Sequence, residues 1–524
     1  MGALLIALVV AGGAVSQDAP LWGGLEPGPY AVGFRSEWSL DETRRYVVQL
    51  PQGGRYDGPR PILVNLWFPA ETVDESEWRS HAAYLDVRRE EHGLGAFSAA
   101  LSAHARSIVL QEVAGKEEAA LTEDEARAIA EFLGRPTAAF DAATPASGPF
   151  PVVVYHSGAG SSFDDDAVLC ELLASHGYVV LGSAFQLEDG SSLGVDGGAG
   201  SGRDLEFLLR RARSLPFADP ERAALIGHSL GAQAILRHAA RPGCTASVLV
   251  LLDTTQDYYA LGTPLFASLV AEVRGGREHV RQRMLVAAGP EASFQLVDLL
   301  AHAERAYLTL PSLDHNDFIA QGNQRRAWLV ERGAEEQDAA RVRAEYEDLC
   351  RYVLATLDAH LGGKPARLAE LDAAYARGRL GRDVRLERVA AGVTAPPRYA
   401  VPSDEPPSPR QLPHLLRGEG ARRTCEVLAR FADRRPPIEV LESTMLTGST
   451  LFELVEAGEV EEARILYGFL ETAQSGVLYG LTFQADMARL TGKPEVERRI
   501  LEAAALLDPD DTELQARRKS LEGR

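Results

Sequence analysis

The sequence predicts an α/β protein: a mostly parallel β-sheet with helices on both faces, a helical insert, and a C-terminal all-α, repeat-like segment. Three observations carry this expectation. Short apolar runs alternate with amphipathic stretches through the middle of the chain. A Gly-x-Ser-x-Gly pattern stands between one such run and a helical stretch. Beyond a proline-rich segment, small and apolar residues recur 34 apart, as at Gly458 and Gly492 or Tyr467 and Leu501.

The first element is a targeting segment. Met1 to Val15 carries no charged side chain and contains an apolar run of signal-peptide length, too short for a comfortable membrane span. Ala14-Val15-Ser16 offers small residues before Gln17, so residues 1–16 are expected to be a signal peptide cleaved there and the mature chain secreted or periplasmic, with a buried first strand or a retained membrane anchor as the alternative. No later stretch reads as a membrane span. The segment 17–363 then forms one unit. Thr43–Leu50 and Pro61–Phe68 read as strands, rich in β-branched or alternating residues. Glu71 to Pro145 reads as a helical insert, with helices over Leu94–Glu112 and Leu121–Leu133, serving as packing or edge cap on one reading and as lid or pocket wall on the other.

Pro151–Tyr155, Tyr178–Gly182, Ala223–Gly227, Ser247–Asp253, Met284–Ala288 and Ala306–Leu310 are short apolar runs that suit buried strands. Asp165–Ser175, Arg203–Arg213 and Leu230–Ala240 have helical spacing between them. Strand and helix alternating in this order demand right-handed crossovers and place ligands at the carboxyl ends of the strands.

Composition narrows the function. The 524 residues hold 54 Lys and Arg against 75 Asp and Glu, a net charge of −21, with 45% hydrophobic residues. That apolar fraction excludes a wholly disordered chain. The acidic balance argues against nucleic-acid binding, which needs basic surface. Cys170, Cys244, Cys350 and Cys425 are too few and too scattered for a disulfide scaffold or a cysteine metal site. No cofactor or metal is expected. The run after Pro151–Tyr155 lacks the Gly-x-Gly-x-x-Gly spacing and no P-loop lysine follows it.

Gly227-His228-Ser229-Leu230-Gly231 carries the chemistry. The pattern puts a serine on a sharp turn from strand to helix, where neighbouring backbone comes so close that glycine is needed on either side. A second match, Gly190-Ser191-Ser192-Leu193-Gly194, has no strand before it and a glycine-rich run, Gly194–Gly202, after it; Ser192 is read as a loop residue and the run as a flexible surface loop. Ser229 is therefore the candidate nucleophile. A serine needs a base to take its proton. Of the histidines that follow, His238 lies within the helix after the turn, and His279 and His302 lie in charged or amphipathic stretches. His315 follows the last apolar strand, where the base belongs.

The acid must hold the imidazole in orientation. Asp253 ends one strand; Glu291 follows the next; Asp314 reads as a turn residue. Asp253 is preferred and Glu291 is the alternative. Two backbone N–H groups must meet the oxyanion. Leu230 supplies one, and Ala159 in His156-Ser157-Gly158-Ala159-Gly160 is the candidate for the other, with His156 packing or orienting that loop.

PVVVYHSGAGSS, SHGYVVLGSAF, GHSLG, VLVLLD and HNDF together resemble α/β-hydrolases of the platelet-activating-factor acetylhydrolase and dienelactone-hydrolase-like branch, over about Gly28 to Leu361. The resemblance implies an α/β-hydrolase fold and a metal-independent serine hydrolase of carboxylic esters. In that branch's acetylhydrolases the acid follows the strand after the nucleophile turn, which supports Asp253. Two departures stand out: the loop histidine, His156, is displaced by one position, and the nucleophile is Ser229 where dienelactone hydrolases carry cysteine.

The remainder divides in two. Residues 364–420 read as a charged helix and a linker, with five prolines between Pro402 and Pro413. Residues 421–524 resemble tetratricopeptide repeats, whose period is 34, as about two copies. They would serve as a surface for a protein partner or as an appendage stabilising the enzyme. The leading expectation is an esterase acting on a small or lipid-like ester. An idle hydrolase-fold protein binding through its helices, and a peptidase or thioesterase, are the alternatives.

Overall fold

The computed structural model describes residues 21–521 apart from 50–54, 72–77, 88–92, 142, 186–197, 334–335, 377–383, 394–398, 436 and 475. The expected signal peptide and the second serine match, Gly190–Gly194, lie outside the described residues.

Among the described residues eleven strands form one sheet. They are β1 (Ala31–Gln49), β2 (Arg55–Ala70), β3 (Trp78–Ser80), β4 (Pro136–Asp141), β5 (Phe150–His156), β6 (Val179–Gly182), β7 (Ala218–His228), β8 (Val248–Leu252), β9 (Arg283–Ala288), β10 (Arg305–Thr309) and β11 (Arg385–Val389). Their order is β11-β10-β9-β8-β7-β5-β6-β2-β1-β4-β3. The strands from β10 to β6 run parallel, and β2 and β11 run antiparallel to their inner neighbours.

Alternation along each inner strand sorts its side chains to opposite faces. Val248, Val250 and Leu252 of β8 join a core shared with the helices Ala167–Ser175 and Glu336–His360. Leu249 and Leu251 join the opposite core, with the helices Leu230–Ala239 and Ala267–Gly275. Both faces are thus covered, which is why these strands are apolar throughout rather than alternating. Strand order, layering and the β7 turn into a helix at Ser229 make this the α/β-hydrolase type of sheet.

Three expectations are corrected at the sheet's margins. The segment 71–145 is not helical throughout: it contributes β3 and β4, which extend the sheet beyond β1, beside the expected helices, observed at Gly95–Ala114 and Glu123–Leu133. Thr137 to Phe140 is short and alanine-rich, so it carries little strand propensity, and pairing with β1 decides its state. Gly198–Gly202 of the expected flexible loop opens the helix Gly198–Ala212. The segment 364–420, expected as a charged helix and a linker, also supplies β11, whose charged side chains suit an exposed edge.

The C-terminal helices bury a core of their own. Thr444–Glu456 with Val460–Ala473, and Val477–Leu490 with Pro494–Leu507, form two helical hairpins. Gly458 and Gly492 take equivalent turns, with φ of 80° and 69°. This unit is docked on the sheet domain. Buried Arg410 pairs with Asp298, which also accepts from the Tyr307 hydroxyl at 2.7 Å. Met445 and Met487 pack against the core on the Leu230–Ala239 side. Among the described residues no helix is long and apolar enough to cross a membrane.

Candidate active site

Ser229 follows β7 directly and is the N-cap of Leu230–Ala239, at φ 54° and ψ −115°. The conformation is strained for a residue with a side chain. It persists because the turn is held from all sides. Ser229 N–H donates to the Leu252 carbonyl at 2.9 Å. A Cβ on Gly227 would lie 2.4 Å from the Gly231 carbonyl carbon, and one on Gly231 would lie 2.1 Å from the His156 carbonyl oxygen. Only glycine permits that approach of turn, helix and loop.

The structure brings Ser229, His315 and Asp253 together. His315 Nε2 lies 3.0 Å from Ser229 Oγ, and His315 Nδ1 lies 2.5 Å from Asp253 Oδ2. Asp253 follows β8 at φ 46°, and its N–H donates to the Ala287 carbonyl of β9 at 2.7 Å. The Asp253 side chain is 2% exposed and that of His315 44%. The buried carboxylate thus meets an imidazole whose outer face reaches solvent. Burial draws the His315 pKa down, but the hydrogen bond and charge of Asp253 outweigh it and hold it above its ordinary value. Glu291 does not reach the imidazole's Nδ1, which Asp253 occupies; burial, with Glu442 and Asp253 nearby, pushes its carboxyl up. Asp314 caps the short turn His315–Phe318 and pairs with Arg326 at 2.9 Å. His279 and His302 are exposed, and His238 is buried in the helix after Ser229.

The loop after β5 runs beside the nucleophile. A Cβ on Gly158 would be 3.4 Å from Ser229 Cβ. Ala159, next in the chain, is exposed. Leu230 stands at the first position of its helix, where N–H groups have no intrahelical acceptor. His156 stacks on Phe185 with ring centres 3.6 Å apart and planes at 10°, and donates through Nδ1 to the Ser157 carbonyl at 2.8 Å. It orients the loop, and burial lowers its pKa to about 4, so it stays neutral. His228 is also buried and neutral, its pKa lowered to about 3, and its Nε2 donates to the His315 carbonyl at 3.0 Å.

Four contacts escape sequence reading. Thr255 Oγ1 lies 2.9 Å from Ser229 Oγ, and the Tyr258 hydroxyl donates to Asp253 Oδ1. His104 Nε2 donates to the Gly160 carbonyl at 3.0 Å, and Asn316 Nδ2 donates to Glu112 at 3.0 Å. The helix Gly95–Ala114 of the insert therefore touches both the loop after β5 and the loop of His315, which makes it a wall of the site. Closeness of Thr255 and Tyr258 to Asp253 in sequence was the available signal; for His104 and Glu112 there was none. Chemically, the arrangement lets His315 take the Ser229 proton while Asp253 steadies the resulting imidazolium. Among the described residues no group of three or more His, Cys, Asp or Glu is arranged to hold a metal ion.

No family model matches the chain, and no curated protein matches it. Among solved structures the chain is similar to a ferulic acid esterase from Streptomyces cinnamoneus, at 18% identity and a TM-score of 0.41, over 67% of this chain and 94% of that one.

Proposed function

We propose that the protein is a serine hydrolase of carboxylic esters. The observation that carries this reading is the continuous hydrogen-bonded chain from Ser229 through His315 to Asp253, set on a strained turn at the carboxyl ends of parallel strands. Ser229 Oγ attacks the ester carbonyl carbon and its proton passes to His315 Nε2. The N–H groups of Leu230 and Ala159 receive the oxyanion. The carbon–oxygen bond to the alcohol breaks, His315 returns its proton to that alcohol, and an acyl-enzyme remains. Water, deprotonated by His315, releases the acid and restores Ser229. The acid's place immediately after the strand that follows the nucleophile turn supports an acetylhydrolase-like enzyme acting on small or lipid-like esters.

The test is turnover of p-nitrophenyl esters from acetyl to dodecanoyl, by the protein and by Ser229→Ala, with EDTA present. Turnover that survives EDTA and vanishes in the variant is expected, and the preferred chain length sizes the pocket. A folded protein that neither turns over any ester nor takes a fluorophosphonate label at Ser229 would overturn the reading.

A further inference from the structure

The loop Thr254–Phe266 leaves β8 at the acid and carries two of the contacts described above. Thr255 touches the nucleophile, and Tyr258 donates to Asp253 Oδ1 while accepting from Gly289 N–H at 2.8 Å. The Tyr258 phenol therefore sits between the acid and the end of β9. Its pKa is pushed well up, first by burial and then by the Asp253 charge, so it remains a donor. The charged groups facing it are Asp253 and Asp257. Asp253 Oδ2 is committed to His315, and the other carboxylate oxygen accepts from the Tyr258 hydroxyl, with Gly289 N–H at 3.4 Å, so Tyr258 is its side-chain donor.

The next residues of the same loop are gripped by the C-terminal unit. Ala260 N–H donates to Ser449 Oγ at 2.8 Å, and Gly262 N–H donates to the Glu453 carboxylate. Ser449 and Glu453 lie on Thr444–Glu456, one turn apart and on one face. Ser449 is fully buried, and Gly262 is so close to Glu453 that a Cβ there would lie 2.7 Å from its carboxylate oxygen. A helix from the far end of the chain thus holds two backbone donors of the acid loop, within four residues of Tyr258.

We propose that Tyr258 is a positioning residue for the triad acid, and that the helix Thr444–Glu456 is the clamp that holds Tyr258's loop in register. The C-terminal helices are then part of the active-site scaffold. This inference rests on the serine-hydrolase reading of the site. Removing the Tyr258 hydroxyl leaves Asp253 Oδ1 without that donor and concentrates the carboxylate's charge on His315, which raises the imidazole pKa further.

The experiment compares the full chain with Tyr258→Phe, with Ser449→Ala/Glu453→Ala, and with all three changes combined, by kcat, KM and pH profile. Tyr258→Phe is expected to lower kcat about tenfold with KM within about twofold, and to move the acidic limb of kcat/KM to higher pH. The Ser449→Ala/Glu453→Ala pair is expected to act in the same direction, and the combined variant to cost less than the product of the two effects. Glu453→Gln keeps an acceptor for Gly262 and is expected to retain wild-type kcat. The clamp is overturned if the Ser449/Glu453 pair leaves both kcat and the acidic limb unchanged, or if it lowers activity only as far as it lowers the folded fraction. Should the wild-type chain show no Ser229-dependent turnover, the hydrolase reading itself fails, an outcome separate from the other two.

Discussion

The two sides of Ser229 are braced in different ways. On the acid side, Asp253 is 2% exposed and is held through Tyr258, Gly289 and the backbone of its own loop, which the C-terminal helices grip by N–H groups. On the base side, His315 is 44% exposed, and its loop is tied by side chains: His228 to the His315 carbonyl and Asn316 to Glu112 of the insert. The acid side is a closed polar network with backbone partners. The base side is a more open one: His228 is buried at the end of β7, but Glu112 is a half-buried side chain of the helix Gly95–Ala114. A buried carboxylate must be fully satisfied to stay ionised without cost. An imidazole that takes and returns a proton needs one face free. The asymmetry fits the separate tasks proposed for Asp253 and His315.

The comparison can be broken most forcefully at the base. His315→Ala removes the proton acceptor and should lower kcat by about 10⁶; retention of most ester turnover would remove His315 from the site. Asp253→Asn comes next, with an expected loss of about 10⁴ in kcat. Asp253 holds the His315 pKa above its ordinary value against burial, so wild-type activity should decline as pH falls through that raised value. In Asp253→Asn only the lowering effect of burial remains, and the acidic limb of the residual activity should shift to lower pH. Glu291→Gln, measured alongside, should change kcat by no more than about threefold; a larger loss there than in Asp253→Asn would reassign the acid.

Stability sharpens the contrast at the junction with the C-terminal unit. Arg410→Ala would leave Asp298 buried beside Tyr307 without its cation, at a cost of about 3–5 kcal/mol in chemical denaturation. A loss below about 1 kcal/mol would mean that the pair is not closed in solution. The smallest effects belong to the insert. His104→Ala and Glu112→Ala each remove one half-buried contact to a loop of the site, and a loss of about threefold in kcat is expected from each. If both leave kinetics untouched, the helix Gly95–Ala114 is a cover rather than a wall.

Local pattern made the centre of the molecule legible. Ser229 could be read as the turn because an apolar strand leads into it and a helix leaves it. His315 and Asp253 could be placed because each follows an apolar run, and a run of that kind ends at the edge of a parallel sheet. The margins were illegible for the opposite reason. The strands at Pro136–Asp141 and Arg385–Val389 carry alanine or charge in place of β-branched apolar residues, and they become strands only because β1 and β10 offer unpaired edges.

By itself, then, the sequence determined the parallel sheet, the turn at Ser229, the three side chains that meet there and a C-terminal run of helices. Those follow from periodicity and from residues whose backbone or side-chain chemistry acts over a few positions. Only the tertiary structure decided that the helix Gly95–Ala114 touches the loops of Gly160 and His315, that Tyr258 and Gly289 meet Asp253, and that Ser449 and Glu453 hold the loop after it. Each of these contacts joins a common polar group to a partner from another segment of the chain. A serine, a glutamate or a backbone N–H looks the same in sequence whether it meets water or a catalytic loop, and packing alone settles which.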